Sequence, residues 1–173
     1  MPNCLQNLDA SGHTGDDVRA FTVPDPATDN ICPGDFLAAS TVVSCRQVAL
    51  ISDTTWDTNL LTTQKAGKVL FEGVALSEVD TDACADAALC IPYANYVPQS
   101  KWRRSYVIVD TDGAAAPTTW VRGQGFTFGK DPDANLLTNN TIQTTSDADA
   151  IVFRAVGDSC GDTLALAMVE FAA

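Results

Sequence analysis

The chain has 173 residues, a hydrophobic fraction of 46% and a formal net charge of −12. A chain of this length is able to form one hydrophobic core, or two small β-modules that share a core. The hydrophobic fraction excludes a wholly disordered chain. The acidic surface repels phosphates and anionic lipids, so neither nucleic acids nor membranes are expected as partners.

Residues 1–17 form a polar segment that we interpret as an N-terminal arm. It has neither the basic start nor the apolar run of an export signal, so we expect synthesis and folding in a cytosol. Thiols stay reduced there, and free thiols are the expected state of the six cysteines, although Cys84 and Cys90, or other pairs that the sequence cannot reveal, would be able to oxidise outside the cell. No cysteine pair has C-x-x-C spacing and the only histidine is His13, so neither a metal nor another cofactor is expected.

The elements predicted next are short strands. β-Branched and apolar residues, separated by Pro and Gly turns, predict strands at residues 18–23, 35–39, 41–51 and 68–76. Residues 53–67 are expected to be an extended loop. A short helix is predicted at residues 80–90, where an Asp or Thr cap precedes an Ala-rich run, and residues 92–104, with two prolines, are expected to form a connector.

The second half of the chain continues the same pattern. Strands are predicted at residues 105–110, 118–123 and 125–129, followed by a polar loop, a Val/Phe strand and a last strand at 163–171. The last strand is apolar on both faces, which predicts burial on two sides, in a sandwich or at a subunit contact. The fold class expected is therefore all-β, a sandwich or barrel of short antiparallel strands with at most one short helix.

Two short sequences occur twice in the same order. The tetrapeptide NLLT stands at residues 59–62 and 135–138, and the decapeptides AGKVLFEGVA and ADAIVFRAVG share an apolar run that ends in Phe. This repetition predicts two related β-units, residues 18–91 and residues 105–173, joined by the connector 92–104. The alternatives are one compact domain overall, and chance similarity in a chain rich in Ala, Thr and Val.

The sequence contains no set of residues that predicts catalysis. No nucleotide-binding or nucleophile motif is present, and the acidic neighbours of Cys160 would raise its pKa, which disfavours a nucleophile. Acidic stretches at residues 77–86 and 109–113 lack the spaced ligands of a calcium loop. We therefore expect a protein that is not an enzyme.

Positive charge is concentrated at one place, in Lys101, Trp102, Arg103 and Arg104. Trp and Arg are the residues that most often anchor protein interfaces, so this tetrapeptide is the candidate interaction site. The alternative is a solvated entry to the next strand with Trp102 packed in the core.

The C-terminal half contains, in order, GQGFTFGKDPDANLLTNNTIQTT, ADAIVFRAV, a short acidic turn and TLALAMVEF. This order resembles the head decoration (cement) proteins of tailed bacteriophages, which commonly have a Gly-containing strand, a loop of the KD…NAL type, an Ala-Ile/Val strand and a final apolar strand. The matching segments are residues 125–131, 135–138, 150–156 and 163–171. A weaker likeness recurs around residues 34–38 and 68–75, whereas the six cysteines and the connector depart from the family's pattern.

The resemblance implies a non-enzymatic protein, made in the host cytoplasm, that binds the outer surface of an icosahedral phage capsid and cements neighbouring major capsid subunits. It also implies a homo-oligomer, for which a trimer is expected and a dimer is the alternative. Two other functions stay open: another virion component (fibre, spike or tail), and a β-sandwich module that binds carbohydrate or calcium. A carbohydrate module would need Trp56, Trp102, Trp120 and the tyrosines on one exposed platform.

Overall fold

The computed structural model describes residues 19–22, 30–39, 48–76, 78, 93–98, 104–109, 119–159 and 166–172. Within these residues the protein is mostly β-strand, as predicted, with one α-helix and a short 3-10 helix at Ile51–Asp53. The strands and the helix, in chain order, are β1 (Arg19–Thr22), β2 (Phe36–Ala39), β3 (Val48–Leu50), α1 (Leu60–Leu70), β4 (Phe71–Ala75), β5 (Tyr93–Pro98), β6 (Ser105–Val109), β7 (Gly125–Lys130), β8 (Leu137–Thr144), β9 (Phe153–Ala155) and β10 (Leu166–Phe171).

The strands form two sheets of five. The first is open, with the order β1-β5-β4-β2-β3, and all its pairs are antiparallel. The second is a closed barrel, with the order β6-β10-β9-β7-β8, in which a parallel pair between β8 and β6 completes the ring. Its other pairs are antiparallel.

The two sheets have the same strand order. Adding five to each strand number of the first sheet gives the order of the second, and the four antiparallel pairs of the first recur in the second. The two similar decapeptides occupy matching places, because Phe71 is the first residue of β4 and Phe153 is the first residue of β9. The NLLT tetrapeptides do not match, since the first follows β3 and begins a helix whereas the second leads into β8.

Helix α1 corrects the prediction of a loop at residues 53–67. Its first turn is closed by a capping box: the Asn59 side chain accepts a hydrogen bond from the Thr62 N–H at 3.1 Å, and the Thr62 hydroxyl accepts one from the Asn59 N–H at 3.2 Å. These bonds satisfy donors that the first turn of a helix otherwise leaves free. The predicted strand 68–76 consequently begins only at Phe71.

The inward side of α1 rests on the barrel. The buried Gln64 amide donates a hydrogen bond to the Phe128 carbonyl oxygen at 2.7 Å. One turn later Gly67 allows close approach, because a Cβ atom there would lie 2.9 Å from Leu137 Cδ1. A small residue at this point therefore sets how closely helix and barrel pack.

One aromatic core joins the two sheets. Four buried phenylalanine rings contact one another in every combination, with ring centroids 5.3–6.0 Å apart; they are Phe36, Phe71, Phe128 and Phe153. Two rings come from each sheet. Four of the six pairs are edge-to-face and two are tilted. Aromatic pairs contribute about 0.5–1.5 kcal/mol beyond the area they bury, so the cluster fixes the sheets against each other.

Several predicted elements differ from the structure. The connector 92–104 contains a true strand, β5, which pairs with both β1 and β4. The described residues of the strand predicted at 118–123 do not form a strand; residues 121–124 form a turn, in which Gly123 has φ 86° and the Gln124 N–H donates to the Val121 carbonyl oxygen. Only part of the predicted strand 41–51 is described, as β3, and the helix predicted at 80–90 lies outside the described residues, as does the N-terminal arm.

Candidate interaction surface

The basic tetrapeptide is described only at its last residue. Lys101, Trp102 and Arg103 lie outside the described residues, whereas Arg104 directly precedes β6. The Arg104 side chain is 61% exposed, and its Nε atom lies 3.7 Å from a carboxylate oxygen of Glu170 on β10. An exposed ion pair of this kind contributes little to stability, so Arg104 is available for contacts with a partner.

Arg104 stands at one end of an outward-facing surface formed by β6 and β10. Alternate residues of these strands point into the barrel, where Val107, Val109, Ala167 and Val169 are buried. The intervening residues point outward and meet across the antiparallel pair, because Tyr106 lies opposite Met168 and Ile108 lies opposite Leu166. We call the six outward residues the β6–β10 face: Arg104, Tyr106, Ile108, Leu166, Met168 and Glu170.

The middle of the β6–β10 face is apolar and partly open to solvent. Tyr106 is 43% exposed and Leu166 is 39% exposed, while Ile108 and Met168 are half-buried. The sequence predicts that the last strand is buried on both faces. Within a single chain this prediction is wrong for Leu166, which is exposed. Burial of this side at a contact with another subunit, the alternative to burial under a second sheet, stays a prediction.

One end of the face is charged. Glu170 is paired in register with Arg154 of β9. The Arg154 side chain is exposed, and its Nη1 donates a hydrogen bond to the Gly123 carbonyl oxygen at 3.2 Å. Glu170 thus lies between Arg154 on one side and Arg104 on the other. Arg104 is ion-paired with Glu170, whereas Arg154 stands beside Glu170 on the neighbouring strand with its guanidinium bonded to a backbone oxygen; the two arginines and one glutamate together carry a net charge of +1, in a chain whose net charge is −12. The sequence indicated Arg104 through its basic neighbours, but Arg154 is an isolated residue that only the strand pairing brings here.

A second ionic cluster holds a loop against α1. The Lys65 ammonium lies 3.0 Å from Asp147 and 3.7 Å from Asp149, in the turn between β8 and β9. The hydrogen bond from Lys65 lowers the pKa of Asp147, and the same bond raises the pKa of Lys65. All partners are within the protein, so we interpret this cluster as a structural contact.

The turn at residues 31–35 contains a buried carboxyl group. Asp35 accepts a hydrogen bond from the Cys32 N–H at 2.7 Å and is almost fully buried. Burial raises the pKa of Asp35 to about 6, although the hydrogen bond from Cys32 favours the ionised form. The chain around it is fixed, since the Gly34 N–H donates to the Ala75 carbonyl oxygen and the Ala75 N–H donates to the Asp35 carbonyl oxygen.

Cys32 corrects the expectation of free thiols, because it is disulfide-bonded. The other five cysteines lie outside the described residues. The expectation rested on the compartment alone, and spacing along the chain cannot show which cysteines meet in the fold. The disulfide is therefore anchored in the turn of residues 31–35, which also contains Asp35.

Other predicted candidates are placed as follows. Trp120 is buried and packs on Phe126 with ring centroids 6.0 Å apart, so it cannot belong to an exposed carbohydrate platform. Cys160 and the acidic stretch 77–86, apart from Glu78, lie outside the described residues. Among the residues that are described, His, Cys, Asp and Glu do not form groups of three or more that would hold a metal ion. In the same part of the chain, no helix is long and apolar enough to cross a membrane.

Comparison with known proteins gave no relatives: no family model, no curated protein and no solved structure matches the chain.

Proposed function

We propose that the chain is a viral structural protein that binds the outside of an icosahedral phage capsid and cements neighbouring major capsid subunits. The observation that carries the proposal is the equal strand order of the two sheets. A capsid presents the same subunit many times, and a chain with two units of one topology is suited to contact two neighbouring copies at once. When the first contact is made, the second becomes intramolecular, so binding to a lattice is much tighter than binding to a single subunit.

We infer that the two sheets descend from one duplicated β-unit. The equal order of strands and the matching positions of Phe71 and Phe153 support this inference, whereas the NLLT tetrapeptides do not contribute to it. An experimental structure would test the inference by superposition of β1–β5 on β6–β10. Matched strands that diverge in direction or twist, so that the Phe residues fail to coincide, would refute it.

Two further observations support a place on a virion. The segments that resemble decoration proteins coincide largely with β7, β9 and β10, which are consecutive neighbours in the barrel. The disulfide at Cys32 fits a protein that functions outside the cell, because virion surfaces are among the places where disulfides persist.

The proposal is tested by co-sedimentation with capsids of the virus whose genome encodes the chain. We expect the protein to pellet with expanded shells, not with immature ones, and to raise their melting temperature, since a ligand that binds only the assembled state stabilises it. Binding to tails or fibres instead of shells would identify another virion component, and binding to glycans by a monomer would favour a carbohydrate module; either result would overturn the proposal.

The basic tetrapeptide provides a variant for the same assay. Replacement of Arg103 and Arg104 by Glu reverses two charges, of which that of Arg104 is exposed, so we expect an intact fold and weaker attachment. A double variant with unchanged occupancy on the shells would reject the tetrapeptide as an anchor without affecting the proposed function.

A further inference from the structure

We propose that the β6–β10 face binds a protein surface in which carboxylate groups surround an apolar site. The proposal deepens the proposed function and rests on it for the identity of the partner, which would be a capsid subunit. The residues of the face indicate the chemistry of the partner, and an isolated peptide tests this chemistry without a capsid.

The centre of the β6–β10 face is apolar and exposed enough to contact a partner. Tyr106 and Leu166 are both more than one third exposed, and Met168 lies directly opposite Tyr106 across the strand pair. Aromatic and Met side chains are enriched at the centre of protein interfaces, where they supply large contact areas. Because the strands belong to a closed barrel, the face is rigid, and little conformational entropy is lost when a partner binds.

The charge at one end of the face favours an acidic partner. Arg104, before β6, and Arg154, on β9, stand on the two strands beside Glu170 of β10, so these three residues carry a net charge of +1 while the whole chain is strongly negative. A positive site on a negative molecule orients the approach of an acidic partner and disfavours a basic one. Guanidinium groups also bind carboxylates in a bidentate geometry, so aspartate and glutamate side chains at the partner's rim fit this site.

Nucleic acid and a second copy of the chain fit the β6–β10 face less well than an acidic protein partner does. Arginine would also attract nucleic acid, but the remaining acidic surface repels phosphates. Leu166 and Met168 are apolar and donate no hydrogen bonds to phosphate oxygens. A second copy of the chain would have to overcome the repulsion between two molecules that each have a net charge of −12. Repulsion scales with the product of the two net charges, so a partner with only a few carboxylates around an apolar site is repelled much less than a second copy and is still attracted by the two arginines.

The test uses backbone amide resonances of the isotopically labelled protein. The probes are a short synthetic peptide with Leu and Phe between glutamates, the same peptide with lysine in place of each glutamate, and a short single-stranded DNA. We expect the acidic peptide alone to shift the resonances of residues 104–108 and 166–170, and its binding to weaken as salt is added.

Matched variants complete the test. Arg104→Gln and Lys68→Gln each remove one positive charge, but Lys68 lies on α1, which packs against β7 rather than against β6 or β10. We expect Arg104→Gln to weaken binding of the acidic peptide about two- to fivefold, the range that a single exposed charge pair gives, and Lys68→Gln to have no effect. Leu166→Ser should weaken it as well.

The proposal would be overturned if the acidic peptide does not bind, if it shifts only the amide resonances of another surface, or if the lysine peptide or the DNA binds equally well. It would also be overturned if the resonances of this face shift when the protein alone is concentrated. The last result would identify a second copy as the occupant. If the face binds the acidic peptide but the protein binds no viral shell, only the proposed function fails. If shells bind wild type and Arg104→Gln equally, only the assignment of the face fails.

Discussion

Replacement of Asp35 by Asn should stabilise the protein at neutral pH and have much less effect in acid. Asp35 is buried in the turn that contains Cys32, and its pKa is raised to about 6 from the ordinary 3.8. A carboxyl whose pKa is higher in the folded state binds its proton more tightly there, so its ionisation at neutral pH opposes folding. Asn removes this cost because it stays neutral, and its side-chain oxygen is still able to accept the hydrogen bond from the Cys32 N–H.

The magnitude follows from the two pKa values. They differ by about two units, and each unit corresponds to about 1.4 kcal/mol, so ionisation of Asp35 costs about 3 kcal/mol once the pH is well above 6. As the pH falls through 6 toward 3.8 the folded protein takes up the proton first, and the cost disappears. At about pH 5, midway between the two values, roughly half of it remains.

Urea unfolding of the oxidised protein, wild type and Asp35→Asn, measures this difference. We expect the variant to gain about 1.5 kcal/mol more in unfolding free energy at about pH 8 than at about pH 5, with equal m-values. The comparison between two pH values cancels any change in packing that the substitution itself introduces. A gain that is the same at both pH values, or larger in acid, would refute the assignment of a raised pKa to Asp35.

Two further substitutions test the fold. Asn59→Ala removes the capping box of α1 and should cost about 1 kcal/mol in unfolding free energy, whereas Asn135→Ala, in the second NLLT tetrapeptide, should cost almost nothing because no helix begins there. Equal costs for both would contradict the helix assignment. Gly125→Ala places a Cβ atom 2.7 Å from two side-chain atoms of Ile151, so we expect a loss of about 1–3 kcal/mol from overpacking. A Gly125→Ala variant as stable as wild type in thermal unfolding would show that this contact is not tight.

Local sequence patterns predicted most of the strands but not how they pair. The alternation in β6 and β10 is visible in the sequence, and both strands lie where they were expected. The common strand order of the two sheets is not visible, because pairing joins residues that are far apart in the chain. The repeated NLLT was misleading, since a tetrapeptide adopts the structure that its surroundings stabilise.

The helix and the strand β5 were missed for physical reasons. α1 contains Thr and Gly, which are poor helix formers, and its stability depends on a cap whose third helical residue is Thr62 instead of the more usual Glu. β5 contains Asn95 and ends at Pro98, residues that are depleted in strands, yet it pairs on both sides. In both cases contacts with the rest of the protein override local preference.

The candidate surface was predicted in part. The sequence indicated positive charge near Arg104, but Tyr106, Met168 and Leu166 join it only through the register of β6 and β10. Arg154 joins through a third strand, β9. Charge clustering along a chain is readable without a structure, whereas a surface assembled from three strands is not.

Electron cryo-microscopy of mature particles, with and without the gene for this chain, tests the central claim most directly. We predict density for the two-sheet fold on the outside of the shell, in contact with two neighbouring capsid subunits, and its loss from the particles that lack the gene. Particles that show identical shells in both cases, or that show the chain in the tail, would contradict the claim that it cements the capsid.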